Sequence, residues 1–265
     1  MLEVLVSDSK VGILIPCFNE EAGIGQVLDD IPHARLAQAG YQTETIVIDN
    51  NSTDATSEVA CARGARVVFE SRRGKGRAVL TGFRALSPDT THVVMLDGDN
   101  TYKPREIPRL LEPLSSDFCD VIVGSRLAGK VARHAFRRKN QLANSGYTFL
   151  VRRFYRAMVT DVLTGYFAWR REVVDALRPH LTAGGFGIEM EMITKMARLG
   201  FRVYSVPITY DQRAGQSKLN TFRDGAAIMA VLLKNLGWAP DPECLCTAEE
   251  EALHRVNASA LVRNA

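Results

Sequence analysis

A chain of 265 residues with 46% apolar and 24% charged residues has the composition of an ordinary globular protein with a large core, which excludes a disordered or low-complexity chain. The net charge of +3 does not call for nucleic acid, but it leaves room for a local basic patch facing phosphate or an anionic membrane. No segment reaches the roughly 20 apolar residues that span a bilayer, the best stretch, Gly225 to Leu233, being cut by Lys234, so an integral membrane protein is not expected.

Met1 to Lys10 carries Glu3 and Asp8 and lacks a basic segment followed by an apolar one, so a signal peptide is not expected. Strands are predicted over Val11 to Pro16, Glu44 to Ile48, Arg66 to Phe69, His92 to Leu96 and Asp120 to Gly124. Helices are predicted between them, over Ala22 to Ala39, Ala55 to Arg63, Lys75 to Leu86 and Arg105 to Leu114. This alternation gives an α/β fold with a parallel sheet, whose ligands bind beyond the carboxyl ends of the strands. Farther on, Phe222 to Trp238 reads as an amphipathic helix that either packs on the rest of the protein or lies in a lipid interface. The tail Asp241 to Ala265, with Glu249-Glu250-Glu251, reads as a helix or loose segment able to mediate self-association. Five cysteines are an odd number, and three fall in apolar elements, which points to a reducing compartment. Cys244-Leu245-Cys246 lacks the spacing of a metal site.

Four polar, turn-forming segments end the first four strands: Pro16-Cys17-Phe18-Asn19-Glu20, Asp49 to Asp54, Arg72-Arg73-Gly74-Lys75-Gly76 and Asp97-Gly98-Asp99. Each alone reads as a turn or helix cap. Together on one edge of a sheet they favour a site. There is no G-x-G-x-x-G turn, and Gly74-Lys75-Gly76 lacks both the earlier glycine and the Ser or Thr of a P-loop. Two carboxylates a residue apart repel unless a cation neutralises them. Mg²⁺ takes one or two carboxylates with phosphate oxygens and water, so Asp97 and Asp99 suggest a metal-held diphosphate.

The ordered series IPCFNEE, VIDNNSTDAT, RGKGRAVLTGF, VVMLDGDNTY, VIVGSR, DVLTGYFAWRR, GFGIEMEM and VPITYDQRAGQSKLN resembles family 2 glycosyltransferases of the GT-A fold, particularly the dolichyl or polyprenyl phosphate sugar synthases. It covers about Val11 to Asn220. The resemblance implies a catalytic domain over residues 1–220, followed by an amphipathic helix and tail over 221–265. The implied fold is a Rossmann-like, mostly parallel sheet flanked by helices, with a C-terminal helical extension. The implied reaction is metal-dependent and inverting, moving a sugar from a UDP- or GDP-linked donor to a polyprenyl phosphate at the cytoplasmic membrane face. A soluble hydroxyl acceptor is the alternative within the same chemistry, and a noncatalytic nucleotide-binding protein is the alternative outside it. Peripheral membrane contact and a homodimer are compatible with the resemblance, and nucleic acid is not among the implied partners.

By the same resemblance Pro16, Asn19 and Glu20 surround the nucleoside, Asp49 faces the base and Lys75 lies near the nucleotide. Asp97 and Asp99 become the D-x-D pair holding Mg²⁺ or Mn²⁺, a Lewis acid for the departing diphosphate. Arg126, one of Arg137 or Arg138, Arg213 and Lys218 become cations for phosphate, although Arg137-Arg138-Lys139 also reads as a solvated helix face. Glu189 and Glu191 sit two apart on a helix and cannot share a face; Glu189 is favoured at the sugar. Three positions depart from the family pattern: Thr101 replaces a metal-binding Gln, Phe167 an Arg after Thr-Gly-Tyr, and Asn50 a second Asp.

Overall fold

The computed structural model describes residues 9–215 and 221–240. In chain order the elements are β1 (Ser9–Cys17), α1 (Glu21–Asp29), α2 (His33–Gln38), β2 (Tyr41–Asp49), α3 (Thr56–Ala62), β3 (Arg66–Phe69), α4 (Lys75–Ala85), β4 (Thr90–Met95), α5 (Ile107–Ser115), β5 (Val121–Val131), α6 (Arg138–Tyr155), β6 (Phe167–Arg170), α7 (Arg171–Leu177), α8 (Ile188–Arg198), β7 (Val203–Tyr210) and α9 (Thr221–Leu236). The five expected strands are present. The single helix expected over Ala22 to Ala39 is two, because Pro32 has no N–H to continue the ladder and its ring crowds the preceding turn.

One seven-stranded sheet has the order β3-β2-β1-β4-β6-β5-β7. It is parallel except for β6, which runs antiparallel between β4 and β5. The sheet is thus mostly parallel, as expected, and its one antiparallel strand is short, four residues that enter the sheet after the long α6. β5 also runs past the expected Gly124, since Lys130 and Val131 pair with Thr209 and Tyr210 of β7.

Both faces of the sheet are covered, which is why its strands read as continuous apolar runs rather than alternating ones. Val93 and Met95 face the layer containing α4, α7 and α8, whereas Val94 and Leu96 face the layer of α1 and α5. Phe167 belongs to the first of these cores: its ring stacks on Trp169 at 5.1 Å, and Trp169 meets Phe83 edge-on at 5.5 Å. The departure at Phe167 is thus a core packing residue. Cys17 and Cys119 are buried and Cys61 is exposed.

The expected C-terminal helix forms as α9 and packs on the protein. Ile228 and Leu232 are buried in the core that also contains α6 and α8 residues. Tyr147 and Tyr155 of α6 donate to the backbone oxygens of Gly225 and Leu232, and Asn235 donates to Thr194 of α8. No helix among the described residues is long and apolar enough to cross a membrane. Cys244, Cys246 and the acidic run Glu249 to Glu251 lie outside the described residues.

Because Trp169 is fully buried between two aromatic neighbours, Trp169→Ala is expected to lower unfolding free energy by about 3–5 kcal/mol. Urea denaturation at neutral pH measures it.

Candidate active site

The carboxyl ends of β1 and β2 are laced together by side chains. Asn19, with φ of 53°, accepts from the Thr53 N–H at 2.8 Å while its own N–H donates to Ser52 Oγ. The Glu20 N–H donates to Thr56 Oγ1 at 2.8 Å. Asp49 accepts from the Ser52 N–H through Oδ1 and from Ser57 Oγ through Oδ2, which fixes its carboxylate at the end of β2. Pro16 sits beside it in β1, half-buried and in register with Ile48.

Asn50 ties the third loop to this edge. Its amide donates to the carbonyls of Glu70 and Arg72, and its Oδ1 accepts from the Gly74 N–H at 2.6 Å. An aspartate could accept but not donate. Asn50 therefore has a positioning role that the family comparison at that position did not suggest. Gly74 has a φ of 137°, and a Cβ there would come within 2.1 Å of the Gly184 oxygen. This backbone contact lets α4 begin against the 183–185 loop, with Lys75 as its first residue.

Lys75 Nζ lies 2.7 Å from Asp97 Oδ1 and 2.7 Å from Glu189 Oε1. Burial alone would push the ammonium down, but Asp97 and Glu189 outweigh it and hold Lys75 well above an ordinary lysine. The second carboxylate of the triplet is deeper. Asp99 is 1% exposed; its Oδ1 accepts from the Thr101 N–H and hydroxyl, and its Oδ2 meets the Arg213 guanidinium. Arg213 also lies 3.6 Å from Glu20. Thr101, the departure from the family glutamine, thus holds Asp99 in place. Gly98 is required between the two aspartates, because a Cβ would stand 2.4 Å from Cys17 Sγ.

Arg213 is delivered by the segment after β7, which docks on the triplet through backbone bonds. Asp211 donates to the Thr101 carbonyl, and Ala214 donates to that of Asp99. Lys103 adds an ion pair to Asp211 at 2.9 Å. Lys218 lies outside the described residues.

The two glutamates of α8 diverge. Glu189 faces Lys75, whereas Glu191 accepts from the Thr182 and Ala183 N–H groups and from Lys195 at 2.7 Å. Burial would raise the Glu191 carboxyl, but the Lys195 ammonium and these donors hold it below the usual range. Glu191 so fixes the loop against which α4 starts.

Arg126 is buried rather than open. It forks onto Asp161 at 2.8 and 2.9 Å, donates to the Leu163 carbonyl, and stacks over Phe136 and Tyr210. The structure thereby gives this cation a carboxylate partner, Asp161, the first residue of the DVLTGYFAWRR segment, to which the sequence assigned no role. Arg137 and Arg138, at the start of α6, are exposed. They are not drawn into the cluster formed by Glu20, Lys75, Asp97, Asp99, Glu189 and Arg213.

Asp97 and Asp99 could hold a hard divalent cation with phosphate oxygens, since no group of three or more His, Cys, Asp or Glu side chains among the described residues is placed to hold one. Asp99 Oδ2 is buried without a hydrogen bond although it faces a guanidinium, and the donor set of carboxylate oxygens suits Mg²⁺ or Mn²⁺.

Residues 12–178 match the family model Glycosyl transferase family 2, and the chain belongs to that family. It is 33% identical over 224 residues to a dolichyl-phosphate hexose transferase of Haloferax volcanii, covering 84% of this chain and 92% of the relative. It is 30% identical over 233 residues to an undecaprenyl-phosphate mannosyltransferase of Micrococcus luteus, again covering 84% and 92%. Among solved structures, glucosyl-3-phosphoglycerate synthase from Mycobacterium tuberculosis in complex with Mn²⁺, UDP-glucose and phosphoglyceric acid is similar with a TM-score of 0.66. The identity there is 27%, covering 88% of this chain and 81% of that one. The expected glycosyltransferase fold, a mostly parallel sheet flanked by helices, is thus borne out.

Removing Glu191 leaves the buried Lys195 ammonium without its carboxylate, with only the His180 carbonyl and the Trp238 ring beside it among the described residues, so Glu191→Gln is expected to cost about 3 kcal/mol in urea denaturation. Its folded carboxyl is held low, so the wild-type advantage is full above the ordinary glutamate range and shrinks as pH falls through it. Glu189→Gln leaves Lys75 still paired with Asp97 and is expected to destabilise less.

Proposed function

We propose that this family 2 glycosyltransferase moves a sugar, with inversion, from a nucleoside diphosphate sugar to a polyprenyl phosphate. The observation that carries the reading is the cluster at the carboxyl edge of the sheet, where Asp97 meets Lys75 and Asp99 meets Arg213. The likeness to relatives named for dolichyl and undecaprenyl phosphate supports the acceptor, and the neighbour crystallised with Mn²⁺ and UDP-glucose supports the donor. The donor is UDP- or GDP-linked.

In this reading Pro16, Asn19 and Glu20 line the nucleoside. Asp49, its carboxylate fixed by Ser52 and Ser57, keeps lone pairs to accept from a ring N–H. Asp97 and Asp99 would hold Mg²⁺ or Mn²⁺, which when bound offsets the charge of the departing diphosphate. Lys75, at the positive N-terminal end of α4, adds charge on the same side. Arg213 shares its guanidinium between Asp99 and Glu20, within reach of an arriving phosphate. Arg137 or Arg138, and Lys218, serve the acceptor phosphate, whereas Arg126, forked onto Asp161, acts by holding that flank of the site in place.

The acceptor decides what Glu189 does. A phosphate monoester has a second pKa of about 6 and attacks the anomeric carbon already ionised. A hydroxyl needs a base to take its proton, and Glu189, aimed by Lys75, is the carboxylate on hand. A soluble acceptor is the second reading, favoured by the likeness to the synthase that holds phosphoglyceric acid. Residues 1–220 form the catalytic domain in this proposal and 221–265 an appended helix and tail; the enzyme works as a monomer or homodimer at the cytoplasmic membrane face.

Thermal melts with UDP, GDP, CDP and dTDP, each with and without Mn²⁺, test the donor site. The cognate nucleotide at one hundred times Kd is expected to add about 2.7 kcal/mol, with the Mn²⁺-dependent part lost in Asp99→Asn. A melt that no nucleotide shifts, or a shift unchanged in Asp99→Asn, overturns the metal-diphosphate reading. Sugar transfer to a water-soluble acceptor, with none to detergent-dispersed polyprenyl phosphate, overturns the lipid acceptor.

A further inference from the structure

Four of the seven most exposed large apolar side chains among the described residues, Leu142, Phe149, Phe154 and Met158, fall on α6 and the turn after it. Leu142 and Phe149 are 76% and 67% exposed and lie seven residues apart, two turns along one helix face. The opposite face is the buried one, formed by Asn144, Thr148, Val151 and Tyr155. Small residues, Ser145 and Gly146, fill the exposed surface between them. Arg137, Arg138 and Lys139 stand at one end of the helix, and Arg152, Arg153 and Arg156 at the other, all exposed. No Asp or Glu occurs between Asp120 and Asp161.

We propose that the outer face of α6, apolar at its centre and cationic at both ends, docks this enzyme on an anionic lipid surface. As an account of how the acceptor is met, the proposal rests on the polyprenyl-phosphate reading. An interfacial helix pairs an apolar stripe that enters the acyl boundary with cations that meet the headgroups, and α6 has both. A segment this rich in cations and free of carboxylates is complementary to a negative surface. Two large apolar side chains at the middle of the face favour lipid over a nucleic acid, whose phosphates they could not contact.

The helix is also joined to the site from its inner face. Asn144 donates to Asp161 Oδ1 at 2.6 Å, and Asp161 holds Arg126, whose guanidinium lies over Phe136 and Tyr210. A bilayer against the outer face would therefore bring a lipid phosphate to the flank of the sheet edge where Arg126 and the triplet lie.

Flotation with phosphatidylcholine vesicles, with and without phosphatidylglycerol, tests the proposal on the full chain. Wild type is expected to float with the anionic vesicles and not with the neutral ones, and to be released by salt. Leu142→Ser/Phe149→Ser should weaken partitioning at least about tenfold. Arg152→Gln/Arg153→Gln should weaken it about thirtyfold, from roughly one headgroup interaction lost per cation. All four positions are exposed, and thermal melts verify that the variants are folded. Phe149→Trp should keep binding, and its added emission should shift to the blue on the vesicles. Wild type that does not float, variants that float as well as wild type, or an unshifted Phe149→Trp each overturn the proposal. So does binding to heparin or RNA that accounts for the association and survives Leu142→Ser/Phe149→Ser. Transfer to polyprenyl phosphate dispersed in detergent is measured on the same proteins: its absence alone counts against the acceptor reading, and its persistence in variants that no longer float is the expected result.

Discussion

The structure depends on neutralising four carboxylates that converge at one edge of the sheet. Glu20, Asp97, Asp99 and Glu189 come from the β1 loop, the β4 loop and the start of α8, and two cations separate them. Unit charges about 4 Å apart interact by about 4 kcal/mol at an effective dielectric of 20, so removing either cation would set carboxylate against carboxylate. Lys75 and Arg213 stand far apart in the chain, one opening α4 and the other following β7. Ordering the site therefore requires both halves of the fold to be assembled, and the ion pairs fasten the first half to the second.

Much of the remaining polar structure exists to hold those charges still. Glu191 fixes the 182–183 segment, Asn50 fixes the Gly74 turn, and together they place the first residue of α4. Thr101 grips one oxygen of Asp99 and leaves the other to Arg213. None of these residues needs to touch a substrate to matter. A shift of the Gly74 turn would move the Lys75 ammonium relative to both of its carboxylates.

The alternating strands and helices of the first half were legible because each strand is buried on both faces and ends in turn-forming residues. The loop residues Asn19, Asp49, Lys75 and Asp97 were legible for the same reason: the carboxyl edge of a parallel sheet collects whatever follows each strand. The second half was less legible. β6 is four residues long and inserts antiparallel between strands distant in sequence, a pairing that no local pattern encodes. Asp161 opens the DVLTGYFAWRR segment, but its role lies in the burial of Arg126, and burial of an ion pair leaves no spacing signature. Arg126 was recognised as a cation, but its carboxylate partner could be found only in three dimensions.

α6 shows how the usual rule of amphipathicity can mislead. A leucine and a phenylalanine seven residues apart would ordinarily mark the face turned to the core. Here the inner face carries Asn144, Thr148 and Tyr155, because it must serve the Asp161 carboxylate, the Val162 N–H and the α9 backbone. The polar demands of the interior fix the rotation of the helix, and the apolar stripe is left outside. Burying Leu142 and Phe149 within the same fold would require turning α6 by about half a revolution, which would strip Asp161 of a hydrogen bond and place arginines against the core. The exposed stripe is thus a consequence of satisfying the interior, and a surface that can take it up has to come from outside the described fold.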